Sequence, residues 1–136
     1  MGRFATLEEA RAFFAGDRFA TDNGMVLEEL DESHSVCSLT LSDRHRNALG
    51  GVMGGAIFTL ADFAFAALTN DAGHSTVAQQ VGINYLAAPK GTRLVARAAY
   101  KKDGRSSCVA TVEVADDTGR AVALFTAVGF KLTPCA

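Results

Sequence analysis

The chain has 136 residues, 49% of them hydrophobic, with 13 glycines, 2 prolines and a formal net charge of −2 from 13 Lys+Arg against 15 Asp+Glu. Such a composition predicts one compact domain over 1–136 and excludes a disordered chain. Neither a run of one charge sign nor a stretch of the roughly 18 apolar residues a bilayer span needs is present, so neither nucleic acid nor membrane is expected as a partner.

Thr6 stands three residues before Glu9, the spacing of a capping box, and Leu7, Ala10, Phe13 and Phe14 follow at helical period. The pattern predicts a short amphipathic helix over 7–15, stopped at Gly16, that braces the main body. Nothing at this N-terminus has the basic segment and apolar block of a secretory signal. Two strand-like segments come next, over 25–30 and 34–41, with Asp31-Glu32-Ser33 as the turn between them. Residues 42–51 (SDRHRNALGG) are polar, then glycine-rich, and read as a loop.

Residues 54–70 (GGAIFTLADFAFAALTN) are different: between Ala56 and Leu68 only Thr59 and Asp62 are polar. A helix apolar on nearly every face must be surrounded by protein. It would be roughly 25 Å long at 1.5 Å per residue, with Asp71-Ala72-Gly73 closing it. Four strands follow, over 76–87, 92–102, 106–115 and 120–132, with breaks at Pro89-Lys90-Gly91, Asp103-Gly104 and Asp116-Asp117-Thr118-Gly119. The expected architecture is α+β: two strands, then a meander of four, forming an antiparallel sheet curled around one buried helix.

Cys37, Cys108 and Cys135 are odd in number and far apart, and His34, His45 and His74 share no metal-ligand spacing. No disulfide framework and no metal site are expected, and a reducing cytoplasm is the natural compartment.

Asp62 carries the chemistry. A carboxylate in an apolar helix is costly unless something pairs with it or uses it. Burial raises its pKa, as suits a base or nucleophile working near neutrality. A structural carboxylate that caps a backbone group or meets a buried Arg is the alternative, and the pattern leaves both open. Gly54-Gly55 opens the helix with N–H groups that side chains do not block, at the positive end of the helix dipole. Such donors suit a thioester oxygen gaining negative charge, although paired glycines can also serve only a tight turn. Gly54 and Asp62 lie eight residues apart, about 12 Å along one helix, too far to act on one carbonyl. To serve one site they must come from two antiparallel helices across a two-fold axis, so this reading demands a homodimer.

The run Asn47-Ala48-Leu49-Gly50-Gly51-Val52-Met53-Gly54-Gly55, followed by Thr59-Leu60-Ala61-Asp62, resembles the signature of hotdog thioesterases of the phenylacetic-acid-degradation (PaaI-type) group. That signature is an Asn, a glycine, His-Gly-Gly and then an Asp in the next helix. The resemblance continues through Ile83-Asn84-Tyr85-Leu86-Ala87-Ala88-Pro89, Gly91 and Ala121-Val122-Ala123, and covers about 25–132. It implies a hotdog fold, hydrolysis of an acyl-CoA thioester to free acid and CoA without metal or redox cofactor, and an obligate homodimer that pairs into a homotetramer. It implies Asp62 as nucleophile or water-activating base, the Gly54 N–H as oxyanion donor, and Asn47 as the group that orients water or carboxylate; taken without the resemblance, Asn47 reads as a local turn residue.

One position departs: the group's His is Met53 here. Met neither donates a hydrogen bond nor shuttles a proton, but the Gly54 N–H does not depend on the side chain before it. Where some relatives place a Ser or Thr after the helix, Ala78 or Gln79 stands here. Substrate contacts are expected from Met53, Gly55, Gln79, Phe58 and Arg105. Phe58, with Phe63 and Phe65, either lines an acyl pocket or is plain core. Arg105, with Arg93, Lys101 and Lys102, either meets CoA phosphates or is a solvated hairpin tip. A non-catalytic acyl-CoA binding or sensing module is the alternative function. An enoyl-CoA hydratase ranks below it, since that chemistry pairs an acid with a His and none lies within the helix or at its mouth.

Overall fold

The computed structural model describes residues 2–71 and 74–134; Cys135, and Ala72 and Gly73 of the expected helix stop, lie outside the described residues. Its elements are α1 (Leu7–Phe14), α2 (Arg18–Asp22), β1 (Met25–Leu30), β2 (His34–Thr40), a 3-10 turn (Asp43–His45), α3 (Gly54–Thr69), β3 (His74–Tyr85), β4 (Arg93–Asp103), β5 (Ser107–Asp116) and β6 (Ala121–Pro134). Thr6 caps α1 as its spacing predicts: its Oγ1 accepts from the Glu9 N–H at 3.1 Å. The Glu9 carboxylate reaches back one residue further, to the Ala5 N–H at 3.1 Å.

The six strands form one antiparallel sheet in the order β1-β2-β4-β5-β6-β3. This corrects the expected four-strand meander. Strands β4, β5 and β6 are a meander, but β3 pairs with β6, not β4, and ends on the far edge. The cause is α3, which leaves β2 near one edge and crosses the concave face, so that β3 emerges beyond the strands that follow it in sequence. Small inward residues let the sheet close on the helix: Ala96, Ala98, Ala110 and Ala127 are buried against Leu60, Ala64, Phe65 and Leu68. At Gly129 a methyl would stand 2.7 Å from Thr76 Cγ2, 2.8 Å from Cys108 Sγ and 3.0 Å from Phe65 Cζ, so only glycine fits.

The end of α3 is fastened by side chains. Asn70 donates to the Ala66 carbonyl and accepts from the Thr76 N–H at 2.9 Å, joining helix to β3. The buried Asp71 carboxylate accepts from the Gly2 and Arg3 N–H groups and draws the N-terminal layer over the helix end. No helix among the described residues is long and apolar enough to cross a membrane.

Asp116 ties the β5–β6 turn to the segment before β4. Its carboxylate accepts from the Thr118 hydroxyl at 2.6 Å, from the Thr118 and Arg120 N–H groups, and from the Lys90 and Gly91 N–H groups at 2.7 and 3.0 Å. The Thr118 hydroxyl first, then these backbone donors, hold the carboxyl well below the usual carboxylate range. A carboxyl whose folded pKa is depressed stabilises above its unfolded value of about 3.9, and that contribution is lost as pH falls toward the folded one. Asp116→Asn is therefore expected to lower Tm near pH 6, with the gap to wild type closing below about pH 4; a gap that stays constant with pH would contradict this.

Candidate active site

The approach to α3 is a compact turn. Gly50 at φ +87° reverses the chain, and the Asn47 side-chain oxygen accepts from the Leu49 and Gly51 N–H groups at 3.0 and 3.1 Å. Within one chain Asn47 is thus an exposed turn residue whose oxygen is already engaged. His45 is buried and satisfied: Nδ1 accepts from the Ser42 N–H at 3.0 Å, and Nε2 donates to the Asn23 carbonyl at 2.7 Å. Met53 is the N-cap of α3 and supplies no side-chain bond, where a Ser, Thr or Asp would have taken an orphan donor. The Ala56 N–H bonds back to the Met53 carbonyl. Among the described residues the N–H groups of Gly54 and Gly55 have no acceptor, so two oriented donors stand open at the positive end of the helix.

About two turns on, Asp62 lies on the incompletely covered side of α3. Leu60, Ala61, Phe63, Ala64 and Phe65 around it are buried. Besides Gly54, Ala56 and Phe58 near its start, the residues that α3 leaves open or partly open are Gly55, Thr59, Asp62 and Ala66, spaced four, three and four. They form one longitudinal stripe at helical period. Its members are small, except for the carboxylate. Burial, and secondly the negative charge of Asp17, raise the Asp62 pKa above the ordinary range. Asp62 has no hydrogen-bond partner among the described residues, and no cation is paired with it. Arg18, which shares its cleft, is committed to Asp22 through bonds of 3.0 to 3.2 Å. A salt-bridged structural carboxylate does not describe it.

Two cavities flank the stripe. One, of about 600 Å³, lies at the start of α3 and is lined by Met53, Gly55, Phe58 and Tyr85 with Phe19 and Arg44 among its other walls. The second, of about 340 Å³, holds Asp62 with Asp17 and Arg18. Phe19, Phe58 and Thr59 belong to both and form the partition. Phe58 also stacks edge-on against Phe125 at 5.4 Å, so it is core and lining at once.

The structure therefore brings Met53, Gly55 and Phe58 to one cavity and Asp62 to its neighbour. Gln79 and Arg105 line neither. Gln79 is the bulged residue of β3, between pairs Ala78↔Gly129 and Gln80↔Val128, and it faces outward on the sheet edge. Arg105 sits at the β4–β5 turn, at the end of the sheet where Tyr100 donates to the Leu68 carbonyl, opposite the start of α3. Asp17 and Phe19 escaped the sequence reading because α2 has five residues and Asp17 makes no side-chain cap bond. The i,i+4 pair Arg18–Asp22 is its one sequence mark.

The model of the family described as Domain of unknown function (DUF4442) matches residues 19–128. Acyl-coenzyme A thioesterase PaaI of Escherichia coli (strain K12) is 30% identical over 119 residues, 87% of this chain and 85% of that one. The chain belongs to the PaaI-type hotdog thioesterase family. The solved structure of the E. coli PaaI protein superposes with a TM-score of 0.88 at 27% identity, covering 94% of each chain. A hypothetical thioesterase protein from Streptococcus pneumoniae TIGR4, solved with coenzyme A, gives a TM-score of 0.84 at 26% identity over 92% of this chain and 98% of that one. Among PaaI-type hotdog proteins, then, this chain is an acyl-CoA thioesterase that carries Met53 at the mouth of its central helix.

Proposed function

We propose that this thioesterase works as a homodimer with two equivalent sites, each built from Gly54 of one protomer and Asp62 of its partner. The observation that carries the reading is the stripe on α3, which holds Gly55 and Asp62 and which the chain's own layers cover only in part. Small residues along it suit close approach of a second helix. An antiparallel copy would set its amide-rich start beside Asp62, cancelling the separation of about 12 Å within one chain. The twelve-residue edge strand β3 supports the same arrangement. Among the described residues its outer edge has no strand partner, and Val77 and Tyr85 within it and Leu86 just past its end are exposed. An edge of that length and character invites pairing. Exposed Leu124, Phe130 and Leu132 on the outward face of β6 suit a second contact, through which two dimers would form a tetramer.

In this site the thioester oxygen accepts from the Gly54 N–H, which stabilises charge as the carbonyl carbon becomes tetrahedral. Asp62 as carboxylate takes a proton from water while the water oxygen bonds to that carbon. Collapse breaks the C–S bond, the proton passes from Asp62 to the departing thiolate, and free acid and CoA leave. Asp62 as direct nucleophile reaches the same products through an acyl–enzyme anhydride that water then opens. Neither route needs a group beyond this chain, water and the acyl-CoA itself. Asn47 would hold the water with its remaining amide N–H groups. Gln79 would reach the site from the paired edge, and Arg105, at the far end of α3 in its own chain, would meet CoA phosphates only from the partner protomer. The coenzyme A held by the S. pneumoniae relative supports the substrate class, and a cytoplasmic setting follows from that substrate.

Release of free CoA thiol by the purified protein across short, long and aromatic acyl-CoAs tests the reading. Tight binding without release would reject hydrolysis in favour of sensing. Phe19, 74% exposed and dividing the two cavities, is expected to limit the acyl group. Phe19→Ala removes one of the three side chains of the partition and should raise kcat/KM for bulky acyl groups relative to acetyl-CoA by about tenfold or more. A uniform change across the panel would show that Phe19 does not select.

A further inference from the structure

We propose that Tyr85 is a positioning residue for the thioester site: its hydroxyl polarises the Gly54–Gly55 peptide, making the Gly55 N–H the second donor to the developing oxyanion. The role rests on the thioesterase reading above and goes beyond the single Gly54 donor in it.

Tyr85 is the last residue of β3, and its ring lies against the first residue of α3. A methyl at position 54 would stand 3.2 Å from Tyr85 Cζ, 3.3 Å from its hydroxyl oxygen and 3.4 Å from Cε1. Glycine at 54 eases that approach, since a methyl there would push the ring back by a few tenths of an ångström. The hydroxyl donates to the Gly54 carbonyl at 3.0 Å. A carbonyl that accepts an added bond draws density from its own amide nitrogen and strengthens that N–H as a donor. The nitrogen of this peptide belongs to Gly55, whose N–H has no acceptor among the described residues and whose helix cap, Met53, supplies none. Tyr85 and Gly55 line the same cavity. Space-filling alone does not call for the hydroxyl, since Tyr85 is 52% exposed and water would satisfy it. Its aim at one carbonyl, the one conjugated to an open donor, is what the geometry adds.

Tyr85→Phe keeps the ring and removes the bond. Two readouts on the full-length protein separate polarisation from packing. In NMR, Tyr85→Phe should shift the Gly54 carbonyl carbon and the Gly55 amide while the resonances of the rest of α3 stay in place. In steady-state thiol release, kcat should fall about threefold to tenfold, the scale of one lost hydrogen bond, with KM unchanged. Site-specific 3-fluorotyrosine at position 85, a stronger donor at a pH where it stays protonated, should give a kcat at or above wild type. A change confined to KM would mean that the hydroxyl touches substrate, and would overturn the proposal. So would an active wild type whose Tyr85→Phe form keeps full kcat and an unshifted Gly55 amide. A wild type that releases no thiol from any acyl-CoA overturns the thioesterase reading and this role together, which distinguishes the two failures.

Discussion

Asp62→Asn is expected to lower kcat for thiol release by about 10²- to 10⁴-fold, the range that a positioned general base supplies, while leaving the fold intact. Asn keeps the shape of the side chain and loses only its charge and basicity. Asp62 forms no ion pair or hydrogen bond among the described residues whose loss would disturb α3. Stability should move the other way. Burial first and Asp17 second raise the folded pKa of Asp62. A raised carboxyl pKa means that the charged form is disfavoured in the folded state, so the cost is present above the unfolded pKa and vanishes as pH falls below it. The neutral isostere removes the cost, and Tm at pH 7 should rise slightly as activity collapses. Wild-type activity should fall on the acid side through a limb lying above the ordinary aspartate range. Asp17→Asn, which removes one of the two raising influences, should move that limb to lower pH. Full activity in Asp62→Asn would end the assignment.

The other large effect concerns the donor and, with it, the sharing of the site between chains. Gly54→Pro deletes the N–H at the first helical position, where proline suits the helix and the donor has no intrahelical partner. Met53, at φ −65° and ψ 132°, already has the extended backbone that a residue before proline requires. The new ring also carries a Cβ, so Gly54→Ala, which adds that Cβ beside Tyr85 but keeps the N–H, is the control. Relative to Gly54→Ala, Gly54→Pro should lose about 10²- to 10³-fold in kcat, the cost of one oxyanion donor. Co-expression of Gly54→Pro with Asp62→Ala then decides where the two groups meet. If each site takes Gly54 from one chain and Asp62 from the other, a mixed dimer has one intact site. Random pairing makes about half the dimers mixed, so about a quarter of wild-type activity should return. No recovery would place both groups of a site on one chain.

Periodicity and spacing determined much of this protein without coordinates. The capped first helix, the apolar helix with its lone acid, and all six strands lie within a few residues of where alternation and turn chemistry put them, because each is a local pattern that one surrounding core satisfies. Sequence spacing also separated Gly54 from Asp62 by eight residues, which is a statement of length and needs no fold.

Tertiary structure alone decided the rest. Strand order was invisible because β3 and β4 are close in sequence, whereas the crossing of α3 sends β3 to the far edge beside β6. Asn47 carried a motif, but the positive φ of Gly50 turns its oxygen back onto Leu49 and Gly51. Asp17 and Phe19 sit on a helix too short for periodicity to show, yet they border the acid and the acyl space. Tyr85 stood in a strand and in the run that carries the resemblance, but no role for its hydroxyl was legible until the fold laid it on the Gly54 carbonyl. A residue's pattern with its neighbours is written along the chain, whereas its contacts with elements tens of residues away depend on how layers pack, and that is where this site is made.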